Sequence, residues 1–316
     1  MKYFLHSLIL IAFLSLAAIP LARATEVNLL GDFNDIYWID HSAPPQKTEG
    51  CTAEDPAASM TPFPSEMAAV PQGQRPAIAI VIDDMGLDHK RSPRAVNLPA
   101  GVTLAYLPYS PHIALQTKAA AAKGHELMVH LPMAPEGMRV NPGPNYLGVD
   151  HSPEELKTRI NANLNAFSGY VGVNNHMGSA FTQDRAGMDI LAQELKARGV
   201  YFLDSMTAPE SIGEKAARAA SVRTTHRDVF LDHYEDISHV LASLERVERI
   251  ARKTGAAVAI GHPKDVTLDA LEKWLPTLQA KGFDLVPMSE LINRRTKTNA
   301  PYTAAAQATP VGMLAE

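Results

Sequence analysis

The chain has 316 residues, of which 46% are hydrophobic and 20% charged, the composition of a globular protein with one large core or two modest ones. A formal net charge of −5, with no basic block, argues against nucleic acid as a partner. Cys51 is the only cysteine, which excludes an intrachain disulfide and a thiolate metal cage.

The N-terminus carries Lys2, an apolar run from Leu8 to Ala18, and Ala22-Arg23-Ala24 in the small-x-small form of a cleavage site. That pattern predicts a signal peptide over residues 1–24 and a periplasmic or secreted protein. The apolar run is short for a membrane span, so no stable span is expected after cleavage. Residues 25–76 are rich in Pro, Ala, Ser, Thr and acids, and predict a largely extended lead segment. Residues 296–316 predict a disordered tail. Between them, 77–295 has the length of one α/β domain.

Within that domain, apolar runs predict strands at Ala77–Ile82, Val102–Leu107, Glu126–His130, Gly172–Asn175, Val200–Asp204, Ala257–Ile260 and Leu285–Pro287. The first run has no polar alternation, as expected when both faces are covered. Ser152-Pro153-Glu154-Glu155 predicts a capped helix start, with Leu156, Ile160, Leu164 and Phe167 inward. A second helix is expected from Asp184 to Arg198, with Met188, Leu191 and Leu195 inward and Gly199 as its stop. A third places Val240, Leu241, Leu244, Val247 and Ile250 on its buried side. The last is expected to be capped by Thr267 and to bury Leu271, Trp274, Leu275 and Leu278.

This alternation predicts right-handed crossovers and a mostly parallel sheet. Periodicity leaves a closed barrel and an open doubly wound sheet as alternatives. No GxGxxG or GxxxxGK[ST] follows any strand, so dinucleotide and P-loop binding have no support.

Polar residues recur at the strand ends: Asp83 and Asp84 after AIAIVI, His130 after HELMV, Asn174, Asn175 and His176 after VGV, Asp204 after VYFL, and His262 after AVAIG. In a parallel sheet these ends share one edge, where distant residues converge. Asp84, His130 and His176 form a ligand set suited to Zn²⁺ or another divalent metal, leaving room for water. Both neighbouring acids reach one site only if the backbone turns, and Met85-Gly86 is the expected turn. Asp83 then becomes the candidate base and His262 the candidate acid. Asn174, Asn175, Asp204 and Tyr109 are candidates for supporting these groups or touching substrate. His125, at the opposite strand end, is expected to be structural. Tyr106 and Tyr109 suit a sugar-binding groove, with core packing explaining them nearly as well, and the Pro-rich loop after His130 is expected to form a wall or lid.

The stretches VIDDMG, GHELMVHLPM, VGVNNHMGSAFT, YFLDSMT and AIGHP resemble the divergent polysaccharide deacetylases, a branch of the NodB-homology carbohydrate esterases. The resemblance covers residues 77 to about 293. It implies an α/β fold, a distorted (β/α)7 barrel of the polysaccharide deacetylase type, and metal-dependent removal of N-acetyl groups from an amino-sugar polymer or envelope glycan. It implies Asp83 as base, Asp84 and His130 as metal ligands, and His262 as the leaving-group histidine. The sequence departs from the usual pattern at Ala134, where a second histidine is expected, and at NNHMGS, which replaces an arginine-and-proline motif. His176 restores the imidazole; the arginine that orients the base has no evident substitute. Two other functions remain open: a catalytically inactive envelope carbohydrate-binding protein that retains the barrel, and a metal-dependent phosphoesterase.

Overall fold

The computed structural model describes residues 74–138 and 140–299. The expected signal peptide, Cys51, the lead segment up to residue 73 and the tail beyond Asn299 lie outside the described residues. In chain order the elements are β1 (Ala77–Met85), α1 (Arg91–Ala95), β2 (Thr103–Tyr106), α2 (Ile113–Ala122), β3 (Leu127–Met133), α3 (Pro153–Leu164), β4 (Gly172–Met177), α4 (Arg185–Arg198) and β5 (Tyr201–Asp204). There follow α5 (Gly213–Ala219), β6 (Thr224–His226), β7 (Val229–Phe230), α6 (Ile237–Thr254), β8 (Ala256–Gly261), α7 (Asp265–Trp274), β9 (Asp284–Leu285) and α8 (Met288–Asn299). Among the described residues no helix is long and apolar enough to cross a membrane.

Every strand pairing is parallel, in the order β6-β5-β4-β3-β2-β1-β8-β7, with β9 paired to the start of β1. β6 and β7 stand at opposite ends of this order, yet only Arg227 and Asp228 separate them. Three trans peptide steps span at most about 11 Å. The outer strands of a flat eight-strand sheet would stand roughly 34 Å apart. The sheet therefore curls until its edges meet, which decides for the distorted barrel over the open sheet. It leaves an unpaired seam that the chain itself crosses: Arg227 N–H donates to Asp204 O on β5, and Asp228 N–H to Val258 O beside it on β8.

The curl has two buried faces because strand side chains alternate. On β1, Ile78, Ile80 and Ile82 join the large core beneath the surrounding helices. Ala77, Ala79 and Val81 face inward with Met128, Tyr201, Leu203, Val258 and Ile260, and α8 closes this inner core with Met288, Leu291 and Ile292. Small residues suit the tight interior. Gly172 is required there, since a Cβ would collide with the Tyr201 ring.

All seven expected strands are present; β6 and β7 are additional. The Ser152 capping box with Glu155 forms as expected, and Gly199 ends α4 with φ +70°. Three details differ. On α6, Leu241 is exposed while Val240, Leu244 and Val247 are buried, each of these worth about 1.5–3 kcal/mol. Thr267 lies inside α7 rather than capping it, and its hydroxyl serves Asp232. Helix α8, for which no pattern was recognised, extends past the expected domain end to Asn299.

Candidate metal centre and catalytic groups

The inward alternation that seats Ala77, Ala79 and Val81 carries on to Asp83, which is buried at the top of the barrel. Continued extension would point Asp84 outward. Instead Asp84 adopts φ +52°, and the pairing register with β2 shifts between Ile82 and Met85. The turn thus lies at Asp84 itself, one residue before the expected Met85-Gly86, and Met85 still belongs to β1. Gly86 (φ +109°) then passes against Ser110, where any Cβ would collide.

The same parity brings His130 from β3 and Asn174 and His176 from β4, with His130 opposite Asn174 and Pro132 opposite His176. His176 Nδ1 lies 2.9 Å and His130 Nε2 3.3 Å from Asp84 Oδ1, and the two nitrogens are 3.1 Å apart. Asp84 Oδ1 is buried with no well-aligned hydrogen bond. These three atoms are the one cluster of potential metal ligands found among the described residues. Bonds of about 2.0–2.1 Å arranged tetrahedrally give donor–donor edges of roughly 3.3–3.4 Å. The observed edges, 2.9, 3.1 and 3.3 Å, range from somewhat short of that to its lower limit.

Hydrogen bonding sets the donor atoms correctly. Asn174 Nδ2 donates to both oxygens of Asp83, at 2.8 and 3.0 Å, and to Ser205 Oγ at 3.2 Å. Its Oδ1 must therefore be the atom 2.9 Å from His130 Nδ1, so that nitrogen carries the proton. His130 Nε2 is left with its lone pair toward Asp84 and His176, as a ligand requires. The residues present fit a divalent cation.

Asp84 also faces His262, whose Nε2 lies 3.7 Å from Oδ2. The other ring nitrogen, Nδ1, is 3.0 Å from Asp232 Oδ1, while Asp232 Oδ2 accepts from the His262 backbone N–H and the Thr267 hydroxyl. Burial works against a charged His262, but the Asp232 hydrogen bond and the Asp84 charge outweigh it and raise its pKa to about 9. Burial likewise raises Asp83, against the opposing pull of His130, His262 and Asn174. For Asp84 burial is outweighed by His130 and His176, which hold it well below the usual carboxylate range. Two adjacent acids thus differ in proton affinity, the raised one suited to take a proton.

The other expected residues lie as follows. Tyr109 packs its ring on Gly143 and reaches Pro142 O at 3.4 Å; burial and Asp84 push its pKa up to about 12. Gly143 belongs to the long loop after β3, which folds back through Leu147 onto Met133. Asn175 points away from Asp83 and ties β4 to the chain after β5: its Oδ1 accepts from Ser205 N–H, and its Nδ2 donates to Thr207 Oγ1 and to Met177 O at the end of β4. Asp204 is not beside the metal-ligand cluster: its oxygens accept from Met206 N–H, Ser211 Oγ and Glu214 N–H, which secures the approach to α5. Tyr106 lies in the outer core against Phe167, not in the cleft. His125 bonds the Val102 and Val96 carbonyls, a structural role. The Asp83 carboxylate has a holder after all, Asn174, where the sequence showed no arginine.

Asp232 and Arg227 were missed in the sequence. Asp232 ends VFLD, the same form as YFLD at β5, but β7 has only two residues and gave no strand pattern.

Residues 80–292 match the family model described as divergent polysaccharide deacetylase. The chain is 34% identical over 225 residues to the uncharacterized protein YibQ of Escherichia coli K12, covering 71% of this chain and 70% of that one. An uncharacterized protein of Haemophilus influenzae is 33% identical over 215 residues, covering 68% and 76%. Among solved structures, the uncharacterized protein ATU2773 from Agrobacterium tumefaciens C58 superposes with a TM-score of 0.68 at 27% identity, over 71% of this chain and 92% of that one. With its parallel barrel and two thirds of its length matched by one family model, this chain belongs to the divergent polysaccharide deacetylase family.

Proposed function

We propose that this protein is a metal-dependent hydrolase that removes N-acetyl groups from an amino-sugar polymer or envelope glycan in the periplasm. The observation that carries the reading is the Asn174 bridge. One side-chain amide holds the Asp83 carboxylate and, through His130, aims a lone pair at the Asp84–His176 cluster. Binding alone needs no such coupling of a carboxylate to a ligand histidine.

Asp84, His130 and His176 would hold the cation, Zn²⁺ being suited to two imidazoles and a carboxylate. When bound, it supplies Lewis acidity toward an acyl oxygen and acidifies a nearby water. Asp83 takes a proton from the attacking water as the C–O bond forms at the acetamide carbonyl. His262, on the other side of Asp84, gives its proton to the sugar nitrogen as the C–N bond breaks, leaving acetate and the free amine. Asp232 keeps His262 protonated and oriented. Lys2, the apolar run Leu8 to Ala18 and Ala22-Arg23-Ala24, a pattern that reads as an export signal, support the location.

The test is acetate release from N-acetylglucosamine oligomers by the Zn²⁺-loaded protein. Asp83→Ala is expected to abolish release while still binding Zn²⁺. Stoichiometric Zn²⁺ binding by the wild type with no acetate release would overturn the hydrolase reading in favour of carbohydrate binding.

A further inference from the structure

We propose that Arg227 is a positioning residue for the Asp83 carboxylate, which it sets by fastening strand ends across the open seam of the barrel. The proposal rests on the reading of Asp83 as the proton acceptor. β6 and β7 share no ladder, so across the seam the backbone ties the end of β5 to β8 only through the two residues between them, by Arg227 N–H to Asp204 O and Asp228 N–H to Val258 O. The Arg227 side chain extends that hold past the end of β5. Its Nε donates to Ser205 O at 2.7 Å and its Nη2 to Met206 O at 2.8 Å, just beyond the end of β5. Met206 has φ +51°, a conformation that needs support from its surroundings.

From Ser205 the path to the site is one residue long. Asn174 Nδ2 donates to Ser205 Oγ as well as to Asp83, so the position of Ser205 limits where the Asn174 amide can sit. On the other side of the seam, the Arg227 guanidinium lies 5.3 Å over the Phe230 ring, and that ring meets His262 edge-on at 5.4 Å between centroids. One planar cation therefore touches the supports of both proton-transfer groups. Its fork of donors matches two successive carbonyls and its face matches an aromatic ring, a combination lysine lacks.

A second arginine provides the comparison. Arg295 of α8 reaches the seam and holds Thr225 Oγ1, the Asp228 carboxylate and Ala256 O, the last at the opposite end of β8 from His262. It closes the same seam without contacting Ser205, Met206 or Phe230 in any of these bonds.

The experiment compares Arg227→Lys, Arg227→Met and Arg295→Met in the full chain. For both Arg227 variants, Zn²⁺ affinity is expected to stay within about threefold of wild type. Their kcat for acetate release falls about 100-fold with little change in KM, the scale of an ångström-level misplacement. Lysine does not rescue. Arg295→Met lowers the denaturation midpoint and leaves kcat in place. A separate arm follows side-chain amide exchange of Asn174 by NMR, which needs no turnover: it is expected to quicken at least tenfold in the Arg227 variants and not in Arg295→Met. Wild-type kcat in Arg227→Met, or parallel losses of Zn²⁺ affinity and kcat, would overturn the proposal. If the wild type releases no acetate, the hydrolase reading fails, and unchanged Asn174 exchange would then sink the Arg227 proposal separately.

Discussion

Replacing Asp232 by asparagine removes the charge beside His262 and turns one of its two acceptor oxygens into a donor. The carbonyl oxygen of the new amide can still accept from His262 N–H and Thr267 Oγ1, the bonds that anchor the start of α7. The carboxylate charge 3.0 Å from Nδ1 is lost. A unit charge about 4 Å from the imidazolium is worth roughly 4 kcal/mol at an effective dielectric of 20, a ceiling of about 3 pH units. Asp84 still faces Nε2 at 3.7 Å and retains part of the stabilisation. A fall of about 1–2 units from the starting value of about 9 is therefore expected. The sign follows from the role: an acid must carry its proton, so turnover is lost as pH rises through the His262 pKa. The asparagine amide also donates to Nδ1 and forces the other tautomer, which lowers the plateau rate by about 10²–10⁴-fold. The assay is the pH profile of kcat/KM for acetate release by wild type and Asp232→Asn, with the His262 ring titrated by NMR in both. Coincident alkaline limbs and coincident titrations would refute the assignment of Asp232 as the group that keeps His262 charged.

Other outcomes follow from the same contacts. Asn174→Ala frees the His130 ring and is expected to weaken Zn²⁺ binding about 10–100-fold, measured by competition with a chromogenic chelator. His176→Ala removes a donor outright and is expected to abolish stoichiometric Zn²⁺ uptake by metal analysis of the dialysed protein. Gly172→Ala drives a methyl into the Tyr201 ring and is expected to cost about 1–3 kcal/mol in urea unfolding. His226 pairs with Glu214 at 2.6 Å, which raises the histidine and, against burial, holds the acid down at about 2. The histidine's contribution is present below 6.5 and lost as pH rises through its raised pKa; the acid's is present above 4.5 and lost as pH falls toward 2. His226→Asn is therefore expected to cost about 1 kcal/mol near pH 5.5 and less at pH 8.5, the figure kept small because His226 is 44% exposed.

What could be read in advance depended largely on strand length, although the two-residue β9 was anticipated from the run at Leu285–Pro287. β1, β3, β4 and β8 have six to nine residues, and their apolar runs announced both the strands and the polar residues at their ends. β6 and β7 have three and two, too few to show a period, so Arg227 between them and Asp232 beyond them passed unnoticed. Asn174 was visible as a residue but not as a role, because the role is a bridge between groups 44 and 91 positions away in the chain. Ala134 shows the opposite case. Its N–H and C=O are engaged by Leu147 and by Ala180 and Phe181, beyond the last residue of β3. The second imidazole comes from the neighbouring strand instead, since Pro132 and His176 are register partners.

That register bears on how such a site can exist without a contiguous motif. Asp83, His130, Asn174, His176 and His262 share the parity of residues buried deeper on their own strands. A slip of β4 by one residue would turn Val173 and Asn175 inward and withdraw both Asn174 and His176. What resists the slip is remote from the chemistry: Gly172 must lie beneath Tyr201, and Tyr201 Oη must reach Glu126, which also accepts from Ser289 N–H of α8. The inner core is thus the register gauge for the ligand set. Asp84 is the one candidate ligand whose placement parity does not explain, and it is also the one whose backbone φ is positive, at +52°. The left-handed turn at that residue brings the second carboxylate to the side of the barrel that four strands have already prepared.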